Sequence, residues 1–287
     1  MRSSPILVIF ADGNEGFIAA GKRLAKQARQ LNCFGRIICL DSADLANLLP
    51  EYAFFASEAD NLLDRYTLYQ SAKPFVLKAG LTGMLGDFQQ IVFLDAGCEI
   101  VVNPISRLRF VWALRRARKL PLGVVQATIY REENYTKKKT LEFFGCSGEI
   151  SSSFQLQPGV IILNKNSASL SLIDLWIRHL DPKLDLVQDP VSREDKLVAH
   201  RRDQSVFSIL WKQNHGGVFD FYWNTPRKKN RFLDAVTSTY AIQAIRNRTG
   251  DSMISSSPYP KIISLSIGIL FLPLLKINRF TKKHLSP

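Results

Sequence analysis

Apolar and polar positions along the chain fall into blocks whose period switches repeatedly. Residues 5–11 form a continuous apolar run, as in a strand buried on both faces. Asp12-Gly13-Asn14 closes it as a turn. Phe17, Ala20, Leu24, Ala28 and Leu31 then recur at helical spacing, with lysines and arginines opposite them, and residues 36–41 return to a strand. The alternation continues. Lys73-Pro74 opens a helix with proline in its first turn, carrying Leu77, Leu81 and Leu85, and residues 90–95 form a second buried strand that ends on a carboxylate. Pro104 starts a helix with Leu108 and Trp112 on one side and Arg107, Arg115, Arg116 and Arg118 elsewhere. Strands follow at 122–128 and 160–163. Leu172, Ile173, Trp176 and Leu180 mark a further helix, and Val206, Phe207, Leu210 and Trp211 another, stopped by Gly216-Gly217. Trp176, Phe207 and Trp211 sit at core spacing and are expected to pack. The pattern predicts an α/β domain with a mostly parallel sheet flanked by helices, spanning residues 1–225.

After about Tyr222 the pattern changes. Residues 226–287 read as a basic tail, with Arg227-Lys228-Lys229-Asn230-Arg231 near its start and a linker at 255–260. Residues 262–275 are almost wholly apolar, bracketed by Lys261 and Lys276 and interrupted by Pro273. A spanning helix needs about 20 apolar residues. The segment therefore suits an interfacial anchor or a helix docked on the domain's own surface, and the pattern leaves both open.

Composition narrows the partners. A length of 287 residues with 46% hydrophobic content supports one sizeable core, and a net charge of +13 favours polyanions: phosphates, an anionic membrane surface or nucleic acid. No nucleic-acid-binding module is recognisable and the basic residues are spread over amphipathic helices, so nucleic acid is disfavoured. Cys33, Cys39, Cys98 and Cys146 lack C-x-x-C spacing and read as small buried hydrophobes in a reducing compartment. The short N-terminal apolar run has no cleavage pattern, so the expected location is cytoplasmic, with peripheral attachment to the inner face of the membrane through the tail.

The candidate chemistry sits at strand ends. Asp95-Ala96-Gly97-Cys98-Glu99 directly follows an apolar strand, where open α/β sheets bind ligands. An aspartate there also serves as a turn-former. His200-Arg201-Arg202 precedes a helix whose N-terminus repels cations, so three of them there call for an anion nearby. Asp203 is either the cap of that helix or an acid facing a substrate. Gln157 and Gln204 suit hydroxyl recognition, because an amide both donates and accepts.

These segments resemble those of GT-A-fold glycosyltransferases, near the family 8 pattern and the bacterial capsule and surface-polysaccharide sugar transferases. Residues 91–97 resemble the hydrophobic strand ending in D-x-D. Residues 9–12 resemble the first strand, 157–164 the strand lining the sugar site, and 202–205 the late Asp-Gln motif. The resemblance implies a GT-A-like (Rossmann-like) fold and a hexosyltransferase-like enzyme. It would move a sugar from a nucleoside-diphosphate sugar to a hydroxyl of a surface glycan or lipid-linked acceptor. It implies Asp95 and Asp203 as catalytic residues, and Ala11, Asp12, Lys73, Gly97, His200 and Arg201 as donor contacts. Gln157, Gly159 and Gln204 would lie near the sugars, and Asp95 would ligate Mn²⁺ or Mg²⁺. One position departs: Gly97 stands where the second carboxylate of D-x-D is expected, and no late His-x-x-Gly-x-Lys-Pro-Trp segment occurs. His200, Arg201, Arg202 and Lys73 are then the cations available to a departing diphosphate, and Glu99 is the replacement carboxylate to consider. The same departure keeps a rival in view, a degenerate binding or scaffold protein on this fold.

Overall fold

In the computed structural model, the described residues are 4–13, 15–60, 62–63, 65–190, 192, 194, 196–222 and 240–244. The expected basic run at 227–231, the linker at 255–260 and the apolar segment at 262–275 lie outside them. The first half runs β1 (Ile6–Phe10), α1 (Glu15–Leu31), β2 (Arg36–Leu40), α2 (Ser42–Leu48), α3 (Pro50–Ala59), α4 (Arg65–Ser71), α5 (Lys73–Leu81), β3 (Gln90–Asp95), β4 (Glu99–Ile100) and α6 (Pro104–Ala117). The second runs β5 (Gly123–Arg131), the short helices α7 (Glu132–Tyr135), α8 (Lys138–Phe143) and α9 (Gly148–Ser152), β6 (Phe154–Asn164), α10 (Ser167–Arg178), α11 (Asp203–Gln213), β7 (Gly217–Val218) and β8 (Ile242–Gln243).

The sheet order is β2-β1-β3-β6-β5-β7. β1 pairs in parallel with both β2 and β3, and β5 with β7, whereas β6 runs antiparallel to β3 and β5. The fold is thus α/β with a mixed sheet. Strand alternation sorts the core into two faces. Ile6, Val8, Ile91, Phe93, Ile161 and Leu163 point to the layer of α2, α3, α5, α10 and α11. Leu7, Ile9, Val92, Leu94, Val160 and Ile162 point to the layer of α1 and α6. Trp176, Phe207 and Trp211 are buried in the first layer, as their spacing suggested. At roughly 25 cal/mol per Å² of apolar area removed from water, these two cores dominate the stability of the domain.

Residues 240–244 lie past the expected boundary at 225 and rejoin this body. β8 pairs antiparallel with β4, Ile100 opposite Ile242, and Tyr240, Ala241 and Ile242 are buried.

One expectation is overturned, that of four buried cysteines, and α6 packs through other residues than its most conspicuous apolar pair. In α6, Leu108 and Trp112 do not face the core: they are 70% and 53% exposed, and the helix buries Ile105, Phe110, Ala113, Leu114 and Ala117 instead. The small alanines let the helix approach the sheet closely, and the bulky pair is left on the opposite side. Among the cysteines, only Cys98 is buried. Cys39 is exposed and Cys33 and Cys146 are intermediate, all four as free thiols.

Candidate functional site

The carboxyl ends of β1 and β3 and the beginning of antiparallel β6 meet at one edge of the sheet. A cavity of about 400 Å³ opens there, within the usual range for small-molecule sites. Most of its lining comes from four stretches, Tyr69, Gln70 and Lys73 from α4 and α5, Asp95 to Cys98 after β3, Gln157 to Gly159 in β6, and Ala199 to Gln204 at the entrance to α11, and Phe17, Asp189 and Ala244 complete it. Asp95 and the cations near 200 therefore share a single cleft.

Its floor is built by close packing. Leu94 pairs with Val160, which brings the next positions, Asp95 and Gly159, opposite one another. A Cβ on Gly159 would lie 2.7 Å from Asp95 Oδ2, so glycine here lets that carboxylate keep its present position. The neighbouring Gln157 takes a hydrogen bond of 3.3 Å on its Oε1 from the buried Tyr222 hydroxyl, which fixes the amide beside the carboxylate.

The wall is an ion pair. Lys73 Nζ lies 3.1 Å from Asp203 Oδ2, with side-chain exposures of 10% and 1%. Burial pushes the Asp203 carboxyl up, Lys73 draws it back down and Asp95 pushes it up again. Asp203 is the first residue of α11 and not its cap. The cap position is Arg202, in a left-handed conformation at φ 51°, with no side-chain capping bond.

The remaining cations differ from one another. His200 is not a cation at all: its Nδ1 accepts from the Lys137 amide at 3.2 Å and its Nε2 donates to the Leu186 carbonyl at 2.8 Å. Burial pulls its pKa down to about 4, against the upward pull of the Leu186 carbonyl. The expected role of His200 as a positive charge toward phosphate is thereby corrected; it fastens the loop entering α11 to the segment before it. Arg202 pairs with Asp189 at 3.0 Å. Arg201 has no carboxylate partner among the described residues. Its guanidinium rests on the rings of Tyr130 and Tyr135, 4.8 and 5.1 Å from their centroids, and its Nε is buried without a hydrogen-bond partner.

Behind Gln204 runs a polar network that no motif announced. Gln204 Nε2 donates to Gln155 Oε1 at 2.8 Å, and Gln155 Nε2 bonds Ser205, Thr136 and Glu132. Glu132 is fully buried and accepts from Lys212 at 2.7 Å, from Thr136 at 2.7 Å and from Ser208. Tyr69 was also unforeseen. It lines the cavity, its hydroxyl lies 3.4 Å from both the Asp12 amide and the Phe10 carbonyl, and burial pushes its pKa up to about 12.

Two expected donor contacts stand apart. Ala11 and Asp12 do not line the cavity. The Asp12 carboxylate is spent on backbone, accepting from the Gly13 amide at 2.6 Å and the Ser42 amide at 3.2 Å, so it shapes the first turn. The donor set does not fit a divalent metal. Asp95 contributes one carboxylate and Gly97 none, Asp203 is held by an ammonium, and Glu99 is fully buried and faces Arg23. Among the described residues no group of three metal-ligating side chains occurs, whereas Mn²⁺ and Mg²⁺ require several oxygen ligands.

No family profile and no curated protein matches the chain. It is similar in structure to several glycosyltransferases. Mouse xyloside xylosyltransferase 1 is 16% identical at TM-score 0.45, covering 90% of this chain and all of its own. A glycosyltransferase involved in glycosylation of the major capsid of PBCV-1 is 10% identical at TM-score 0.46, covering 83% and 92%. The bifunctional glycosyltransferase WbbM is 11% identical at TM-score 0.47, covering 84% of this chain and 45% of its own. All three TM-scores are below 0.5, so the functional reading rests on the cleft.

Proposed function

We propose that the cleft binds a nucleoside-diphosphate sugar and that the protein is a glycosyltransferase, passing the sugar to a hydroxyl of a surface glycan or lipid-linked acceptor. The observation that supports this most is the convergence, from four distant stretches, of Asp95, the Lys73–Asp203 pair, Gln157, Gln204 and Arg201 on one cavity. Two carboxylates and two amides form a hydroxyl-reading set, and the arginine is a charge in want of an anion.

In this reading the departing diphosphate meets Arg201, whose guanidinium is held in place by the two tyrosines before any ligand arrives. Preorganised charge of this kind is usually the largest catalytic contribution. Lys73 keeps Asp203 in place and adds a positive field along the same wall. Asp203, with its pKa raised by burial, orients or deprotonates a sugar hydroxyl, and Asp95 holds a hydroxyl of the donor. Because the donor set does not suit a divalent ion, donor binding is expected to survive chelation.

A thermal-shift screen of nucleoside-diphosphate sugars, with Mn²⁺ and with EDTA, tests this. A donor should raise the melting temperature by mass action in both conditions, and Arg201→Met should abolish the rise. If no nucleotide-sugar shifts the wild type, the reading fails. A second reading, donor binding without turnover, is favoured by the missing D-x-D carboxylate at Gly97. It is separated from the first by nucleotide release: turnover that collapses in Asp203→Asn excludes it, and binding without release over a broad acceptor panel supports it.

A further inference from the structure

The apolar pair that the core leaves out has a setting of its own. Leu108 and Trp112 are one helical turn apart on the outer side of α6, with exposed Val102 just before the helix. From residue 100 to residue 119 the chain carries Arg107, Arg109, Arg115, Arg116, Arg118 and Lys119, and no Asp or Glu. Of these, Arg107, Arg115, Arg116 and Lys119 are exposed. The Arg116 guanidinium stands 5.3 Å from the Trp112 ring and 4.4 Å from the ring of Phe219, on which Trp112 packs edge-on at 6.0 Å. The indole is thereby propped outward with a cation beside it. α1 lies on the same side of the sheet and adds exposed Lys22, Lys26 and Arg29. The nearby acid Asp220 faces Arg109 and Tyr240.

From this we infer that the α1–α6 layer is a docking face for an anionic lipid bilayer, with Leu108 and Trp112 entering the headgroup region and the surrounding arginines and lysines meeting lipid phosphates. The chemistry matches an interfacial helix: an aromatic and an aliphatic anchor set among basic residues. Each basic residue near such a surface adds to binding in a salt-dependent way. An exposed apolar side chain alone does not suffice. Phe54 on α3 is 71% exposed, but its neighbours one turn away are Glu51, paired with Lys78, and Glu58, so that side chain has no basic cluster around it to meet anionic lipid. Among the described residues no helix is long and apolar enough to cross a membrane, so attachment through this face is peripheral.

The test is co-sedimentation of the full chain with vesicles of phosphatidylcholine alone and of phosphatidylcholine with phosphatidylglycerol. Binding is expected only with the anionic vesicles and should weaken as salt rises. Leu108→Ser with Trp112→Ser, and separately Arg115→Glu with Lys119→Glu, should each reduce partitioning by roughly tenfold or more, whereas Phe54→Ser should leave it unchanged. These positions are exposed, and an unchanged circular dichroism spectrum confirms that each variant is folded. Absence of binding by the wild type overturns the inference. So does binding that both double variants retain, and so does salt-sensitive binding to nucleic acid with none to vesicles.

Discussion

Lys73 and Asp203, 130 positions apart in the chain, form a buried ion pair at 3.1 Å that ties the start of α5 to the first residue of α11. Both side chains are nearly out of water, so removing one strands the other. Lys73→Met should destabilise the domain by roughly 3–5 kcal/mol, and adding Asp203→Leu should recover much of the loss, because an apolar pair of similar volume replaces the ions. Denaturant unfolding of the two single variants and the double variant measures this. A Lys73→Met variant as stable as the wild type would show that the pair contributes no net stability.

Gly159→Ala should act on the ligand more than on the fold. Its methyl group would meet Asp95 Oδ2, the free end of a side chain, at 2.7 Å, so the carboxylate swings away. Weaker nucleotide-sugar binding is expected, with a loss of about 1 kcal/mol or less in unfolding free energy. Full donor affinity in this variant would mean that the position of Asp95 is immaterial to the ligand.

His200 confers a pH dependence whose sign follows from its burial. Folded, the imidazole titrates near 4, against 6.5 in the unfolded chain. Between those values the unfolded chain holds more protons. Its contribution to stability is therefore complete above pH 6.5 and is lost as the pH falls through 4, by about 3 kcal/mol in all. His200→Gln should flatten that part of the profile relative to wild type. Parallel profiles from pH 7 to 4 would contradict the assignment.

Glu132→Gln addresses the network behind Gln204. Lys212 would keep a buried charge without its counter-ion, and a loss of roughly 3–5 kcal/mol is expected, with recovery on adding Lys212→Met. Because the network also sets the Gln204 amide through Gln155, donor affinity at a temperature where the variant is fully folded should fall as well. Unaltered affinity would restrict Glu132 to holding the fold.

The readability of these features from the sequence followed how local their causes are. The runs at 5–11 and 90–95 are buried on both faces, so continuous apolarity revealed their strands to within one residue, whereas 36–41 is a half-exposed edge strand that was legible from the strand–helix–strand alternation. Residues 42–71 form three short helices that periodicity missed, since seven to ten residues span too few turns to establish a period. In α6 the spacing of Leu108 and Trp112 marks a face that is exposed, and the core contacts come from Ile105, Phe110, Ala113, Leu114 and Ala117. Within the cleft, Asp95, Gly97, Gln157, Gly159, Asp203 and Gln204 stand in short motifs and were visible. Tyr69, Gln155 and Glu132 owe their places to hydrogen bonds with distant segments, which no local pattern encodes. His200 was legible as a position but not as a charge, because its neutrality comes from burial among segments distant in the chain.

The antiparallel course of β6 has a consequence for synthesis. β3 sits between β1 and β6, so the middle of the sheet waits for residue 164, and the cleft wall waits longer, until α11 brings Asp203 to Lys73. A nascent chain that has released β1, α1 and β2 from the ribosome therefore holds an unfinished sheet until residue 164 has been made. Such non-local pairings form slowly and stay open to misassociation meanwhile. The binding cleft is among the later parts of the molecule to exist, and a chain halted before residue 203 would lack the carboxylate that closes its wall.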